Sequence, residues 1–329
     1  MNIKRKKIMS AVLAAVTALT AAGNMPTETS AVFGSTRPDT ETVDITINTD
    51  KDKSRISPYI YGINDNCVLS DVTVTALKQS SAALSSYNWE INTANMGAEN
   101  DYINGYDLVS AFSKNVMSTP ALHTKQLVDK ADLYHIPLRL TTLQMMGRVA
   151  NDAAGVVGES ESRRWAEVFV NKNSDLLIYP DVNDDAVYMD EYISYLVNSY
   201  SFASEGGING YFLDREPEHW HEEYGILGLD MITAQELVKR SSALADTGKA
   251  VDPSAIVLGP SVSGIGAFVN LDNEDDWNSY KENYSWFIDY YLDNMRIASE
   301  KKNKRLLDVL DLHFVTEARS VLVESVIES

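Results

Sequence analysis

The chain has 329 residues, 44% of them hydrophobic, and a formal net charge of −19 at pH 7. Such a surface repels nucleic-acid phosphates and anionic lipid headgroups alike, which argues against both as partners. Cys67 is the single cysteine, so no intrachain disulfide can form and the fold must rest on core burial, for which the length of one large α/β domain suffices.

Residues 1–23 open with Lys4, Arg5, Lys6 and Lys7 and continue into an apolar run from Ile8 to Ala22. That run is shorter than the roughly 20 apolar residues of a membrane span and is followed by small residues, the pattern of a secretory signal peptide. The expectation is therefore a secreted, extracellular protein with no membrane association after signal removal. Residues 24–42 are polar and lack periodicity, a flexible lead-in. Residues 43–49 alternate apolar and polar strictly and predict a half-buried strand, although no pairing partner lies nearby.

From residue 56 to 329, short β-rich runs at 59–63, 83–87, 136–140, 208–213, 255–259 and 307–312 alternate with longer amphipathic stretches. Alternation of this kind builds a parallel sheet with crossover helices. Three helices are readable. One spans 189–203 with Ile193, Leu196, Val197 and Tyr200 inward, and another spans 284–299 with Phe287, Tyr291 and Met295 inward. The third starts at Thr233, where Thr233 and Glu236 form a capping box, and ends near Asp252. Six strand candidates make either an open doubly wound sheet or an incomplete (β/α)8 barrel of about six βα units. The remaining motifs favour the barrel.

The segment 210–220 carries the most chemistry: an apolar strand runs into Asp214, Glu216 and Glu218, with Pro217 between the last two and Trp220 beyond. In a (β/α)8 barrel the carboxyl end of a strand is where catalytic groups sit. Cleavage of a glycosidic bond needs one protonated carboxyl for the leaving oxygen and a second, ionised one at the anomeric carbon. Carboxylates at two-residue spacing should raise at least one pKa, as a general acid requires; the competing reading is a solvated acidic loop. Trp89, next to Glu90, and Trp220 are candidate platforms for sugar rings, against ordinary core packing. His313, at the end of the sixth strand candidate, is placed on the same rim.

His219 and His221 among Glu218, Glu222 and Glu223 form a weak metal pattern that reads better as polar surface. Asp181, Asn183, Asp184 and Asp185 offer oxygens to a structural calcium ion but lack EF-hand spacing, and a loop with a helix cap is the stronger reading. No other cofactor is expected. There is no phosphate-binding glycine loop and no serine nucleophile elbow.

Several ordered motifs resemble glycoside hydrolase family 44, secreted endo-β-1,4-glucanases and xyloglucanases: Ile56-Ser-Pro-Tyr-Ile-Tyr-Gly62, Tyr87-Asn-Trp-Glu90, Leu143-Gln-Met-Met-Gly147, Leu213-Asp-Arg-Glu-Pro217 and Asn283-Tyr-Ser-Trp-Phe287. The resemblance implies a (β/α)8 barrel with a small β-domain to which the strand at 43–55 belongs, a retaining mechanism with Glu216 as general acid/base, and a β-glucan or xyloglucan substrate; the candidate substrate-binding residues are Trp89, Glu90, Trp220 and His313. It also implies a nucleophile after the seventh barrel strand, a position this sequence does not reach. The alternative is a non-hydrolytic carbohydrate-binding relative or an inactive fragment. Two positions depart from the family pattern. Arg215 stands where Asn is usual, and a guanidinium there should lower the pKa of Glu216. Ser80-Ser-Ala-Ala83 replaces Gly-Gly-Asn-Arg, removing a cation.

Overall fold

The computed structural model describes residues 51, 53–69, 73–158 and 161–315. The chain divides between Arg55 and Ile56 into two compact units, and nearly all described residues belong to the second. The signal peptide, the lead-in and the strand expected at 43–49 lie outside the described residues.

Six parallel strands form the principal sheet, in chain order from edge to edge: β1 (Gly62–Asn64), β2 (Ala76–Lys78), β3 (Leu138–Leu143), β4 (Gly210–Leu213), β5 (Ile256–Ser263) and β6 (Val309–His313). Every neighbouring pair is parallel, as βα repeats require. Four helices, α1 (Leu122–Leu133), α2 (Met189–Tyr200), α3 (Ala234–Val251) and α4 (Phe287–Lys302), follow β2, β3, β4 and β5 respectively. Thr233 caps α3 by accepting the Glu236 amide at 3.2 Å, the bond its capping box foretold.

The sheet separates two apolar regions. Tyr211, Leu213, Val257 and Val262 pack outward with Ile193, Leu237, Leu244 and Tyr291 of the helices in the main core. Leu140, Phe212 and Leu258 face the other way and form a small inner cluster with Leu138 and Ile256. Gly210 leaves room for the side chains of its two register partners: a Cβ there would lie 2.6 Å from the Ile256 side chain and 2.8 Å from that of Leu140.

Two expectations are corrected. Residues 83–87 are not the second strand; Ala82–Ser86 is a 3-10 turn, and the strand is Ala76–Lys78. The serines decide it. Ser81 accepts the Ala83 amide, and Ser86 Oγ donates to the Ala83 carbonyl, bonds available to a turn and not to a ladder. The helix α1 went unread because Lys125, Asp129, Lys130 and Asp132 dilute the stripe of Leu122, Leu127, Val128 and Ala131 that it buries.

Candidate active site

The chain leaves β4 through two residues in the left-handed region, Asp214 at φ 62° and Glu216 at φ 41°, before the turn Pro217–His219. Such backbone costs on the order of 1–2 kcal/mol per non-glycine residue and persists where surrounding bonds fix it. The result is that three carboxylates two residues apart point to three different environments.

Asp214 is fully buried and accepts from Ser85 Oγ at 2.6 Å and from the amides of Met145 at 2.5 Å and Met146 at 2.9 Å. It thereby ties the end of β4 to the end of β3 and to the turn after β2. Burial pushes its pKa up to about 6 against the pull of those three bonds and of the Arg215 amide. Glu218, 2% exposed, is buried on the other side. Its Oε1 accepts the Ser263 amide at 2.6 Å, Oε2 has no partner, and burial raises its pKa to about 8, with Glu216 and Asp272 adding to the rise.

Glu216 is the one of the three that is only part-buried, with 13% of its side chain exposed. Its amide donates to the Ser261 carbonyl at 3.0 Å, which anchors the backbone to β5. Its carboxyl lines a cleft of about 250 Å³ with Asn64, Lys78, Thr142, Arg215 and His313, at the carboxyl ends of β1, β2, β3, β4 and β6. His313 Nδ1 lies 2.7 Å from Glu216 Oε1 and Arg215 Nη2 lies 2.5 Å from Oε2. Burial is the largest single influence on this group and works to raise its pKa, yet the His313 bond and the charges of Arg215, His313 and His219 together hold it below the ordinary glutamate value. The direction is the one Arg215 led one to expect.

A relay of polar groups stands behind His313. Lys78 Nζ is 3.1 Å from His313 Nε2 and 3.4 Å from Asp311 Oδ2, and Asp311 Oδ2 also accepts from Ser261 Oγ at 2.6 Å. If the ring is neutral and Nε2 accepts from the ammonium, its proton lies on Nδ1 and is aimed at Glu216. The Lys78 ammonium stacks 3.9 Å over the Phe212 ring, and burial lowers its pKa although Asp311 opposes.

The structure brings together Glu216 and His313, and separates the other candidates from them. Trp89 is 0% exposed and stacks on Tyr192 with centroids 5.0 Å apart, so neither ring face is free for a sugar. Trp220 is 3% exposed, and its Nε1 donates to the Arg215 carbonyl at 3.1 Å and faces Ser85 Oγ at 3.3 Å; it fastens the loop from beneath. Glu90 is 4% exposed, and burial, with Asp184 and Glu191 adding to it, pushes its pKa to about 8. All three side chains are buried in the described structure.

Asp181 accepts from Asn183 and Asp184 accepts from the Ala186 amide, each closing its own turn. Among the described residues no three His, Cys, Asp or Glu side chains converge on a point where a metal ion would sit. The sequence reading missed Lys78 and Asp311. Asp311 was legible, since two-residue spacing on β6 puts it on the same face as His313. Lys78 was not, because a three-residue strand is too short to show alternation.

The sequence model of glycoside hydrolase family 44 matches residues 75–318. The β-mannanase/endoglucanase A of Caldicellulosiruptor saccharolyticus is 41% identical over 284 residues, covering 84% of this chain and 21% of that protein. A family 44 xyloglucanase from Paenibacillus polymyxa, solved with xyloglucan, superposes with a TM-score of 0.75 at 39% identity, over 79% of this chain and 52% of its own. A family 44 endoglucanase from Clostridium thermocellum superposes with a TM-score of 0.76 at 42% identity, over 80% and 52% respectively. The chain therefore spans about a fifth of the first relative and about half of each solved structure, and its six parallel strands are those of an incomplete (β/α)8 barrel.

Proposed function

Because this chain belongs to glycoside hydrolase family 44, we propose that it is a secreted glycoside hydrolase acting on β-1,4-glucan or xyloglucan by a retaining mechanism, with Glu216 as the general acid/base. The observation that supports this is the Glu216 carboxyl itself, held at the tip of β4 inside the cleft and gripped from two sides by His313 and Arg215. A retaining enzyme asks one carboxyl to give a proton to the leaving oxygen and then to take one from water. The substrate class follows from the names of the relatives, one an endoglucanase and one solved with xyloglucan. Secretion follows from residues 1–23.

The ion pair with Arg215 favours a second reading, a carbohydrate-binding relative without turnover, since a carboxylate held in its ionised form is a poor proton donor. Release of reducing ends from xyloglucan and soluble β-glucan separates the two. In a protein where this chain is joined by the second carboxyl that a retaining mechanism requires, hydrolysis that Glu216→Gln abolishes is the expected result; a rate that survives the substitution removes Glu216 from the role, and saturable oligosaccharide binding with no release supports the second reading.

A further inference from the structure

One guanidinium serves two carboxylates beside the cleft. Arg215 Nη2 lies 2.5 Å from Glu216 Oε2, while Nη1 reaches Glu223 Oε1 at 3.3 Å, the long end of a hydrogen bond. The second oxygen of Glu223 is sealed from solvent with no hydrogen-bond partner. A buried carboxylate oxygen without a donor is a standing cost, and a planar guanidinium is the group that satisfies both oxygens of a carboxylate at once. Arg215 and Glu223 also share the wall of a cavity of about 460 Å³, which leaves the guanidinium room to turn.

We propose that Glu223 is a positioning residue for Glu216: when Glu216 takes up a proton, the Arg215 guanidinium moves onto Glu223 and pairs with both of its oxygens, and when Glu216 ionises, the guanidinium returns. The inference rests on the acid/base reading of Glu216, whose difficulty it removes. A fixed Arg215 would hold Glu216 ionised; an Arg215 with a second carboxylate to go to holds the ionised form only while that form exists.

The surrounding charges are compatible with the exchange. Glu216 is faced by Arg215 and His219 from its own loop and by His313 from β6, with Lys78 of β2 and Asp311 of β6 behind His313, and Glu218 buried beneath. Glu223 is faced by Arg215, Glu216 and His219. Glu99 stands across the cavity, and Glu222 lies against His219 at 4.0 Å and His221 at 3.8 Å. Burial, the largest influence on Glu223, raises its pKa, the mark of a carboxylate short of counter-charge in the state seen here. Arg215 is the cation within hydrogen-bond distance of both carboxylates.

The test is a pH titration of the full chain by carboxyl ¹³C NMR, with the guanidinium ¹⁵N resonances of Arg215 followed in parallel. In the unsubstituted protein the Arg215 resonances are expected to shift with the same midpoint as the Glu216 carboxyl. Glu223→Gln, nearly isosteric, should move the Glu216 midpoint to lower pH and abolish the coupled Arg215 shift, while Arg215→Gln should move the midpoint to higher pH. Arg215 resonances that stay still through the Glu216 titration overturn the proposal in the unsubstituted protein alone, whatever the variants do. So does a Glu216 midpoint that Glu223→Gln leaves unchanged. These readouts require no turnover, so absence of hydrolysis would count against the acid/base role and leave the exchange itself standing or falling on the titration.

Discussion

Glu218→Gln is expected to flatten the pH dependence of stability on its alkaline side. The carboxyl is 2% exposed, spends one oxygen on the Ser263 amide and leaves the other unpaired, and its pKa rises from 4.5 to about 8. A group that binds its proton more tightly in the fold than in the unfolded chain contributes stability that is complete below about pH 4.5 and is lost as pH rises through about 8. At ~1.4 kcal/mol per pH unit, keeping Glu218 ionised inside the fold costs on the order of 5 kcal/mol, and relaxation around the charge brings the expected cost to on the order of 2 to 4 kcal/mol. Glutamine has the shape of the protonated acid and never ionises, so the variant should match the parent within ~1 kcal/mol at pH 5 and exceed it by the full amount at pH 9. Urea denaturation of both proteins at the two pH values, followed by circular dichroism, gives a double difference in which every other titrating group cancels. A double difference below ~1 kcal/mol would show that Glu218 is not a buried neutral acid, and with it the argument that strain at Asp214 and Glu216 sends alternate carboxylates to separate environments would fail.

Asp214→Ala strands the Met145 and Met146 amides and the Ser85 hydroxyl in the interior; at ~1–3 kcal/mol per unsatisfied group the loss should reach ~3 kcal/mol or more by denaturant titration, and a smaller loss would mean water replaces the carboxylate. Trp89→Phe, at a position with no exposed surface, should lower the melting temperature while leaving oligosaccharide affinity per folded molecule unchanged, and a loss of affinity at full folding would restore the platform role. Gly210→Ala places a methyl 2.6 Å from Ile256 and 2.8 Å from Leu140 and should cost about 1–3 kcal/mol by overpacking; a neutral result would show that the strands part easily at this point. His313→Gln removes the largest of the influences that hold Glu216 ionised, so the Glu216 midpoint should rise in a carboxyl NMR titration, and an unmoved midpoint would leave the charges of Arg215 and His219 as the determinants.

The carboxylate at position 216, the parallel βα alternation, the Thr233 cap and the family were all legible in the sequence, because each is local: a strand followed by its tip residues, a period of two or of 3.6, a capping pair three residues apart. The direction in which the Glu216 pKa moves was legible too, since Arg215 is its chain neighbour. What the sequence could not supply was the partition of identical chemistry by burial. Trp89 and Trp220 resemble exposed platforms on paper, and only the packing of Tyr192 against one and the Arg215 carbonyl against the other shows them to be interior. Asp214, Glu216 and Glu218 differ in the fold by which solvent and which donors they meet, a property of chain segments 45 to 129 residues away, such as Ser263, Met145 and Ser85. Tertiary structure alone decided those roles, because desolvation and hydrogen bonding across the barrel rim act through space, while a sequence pattern records only what neighbours along the chain require.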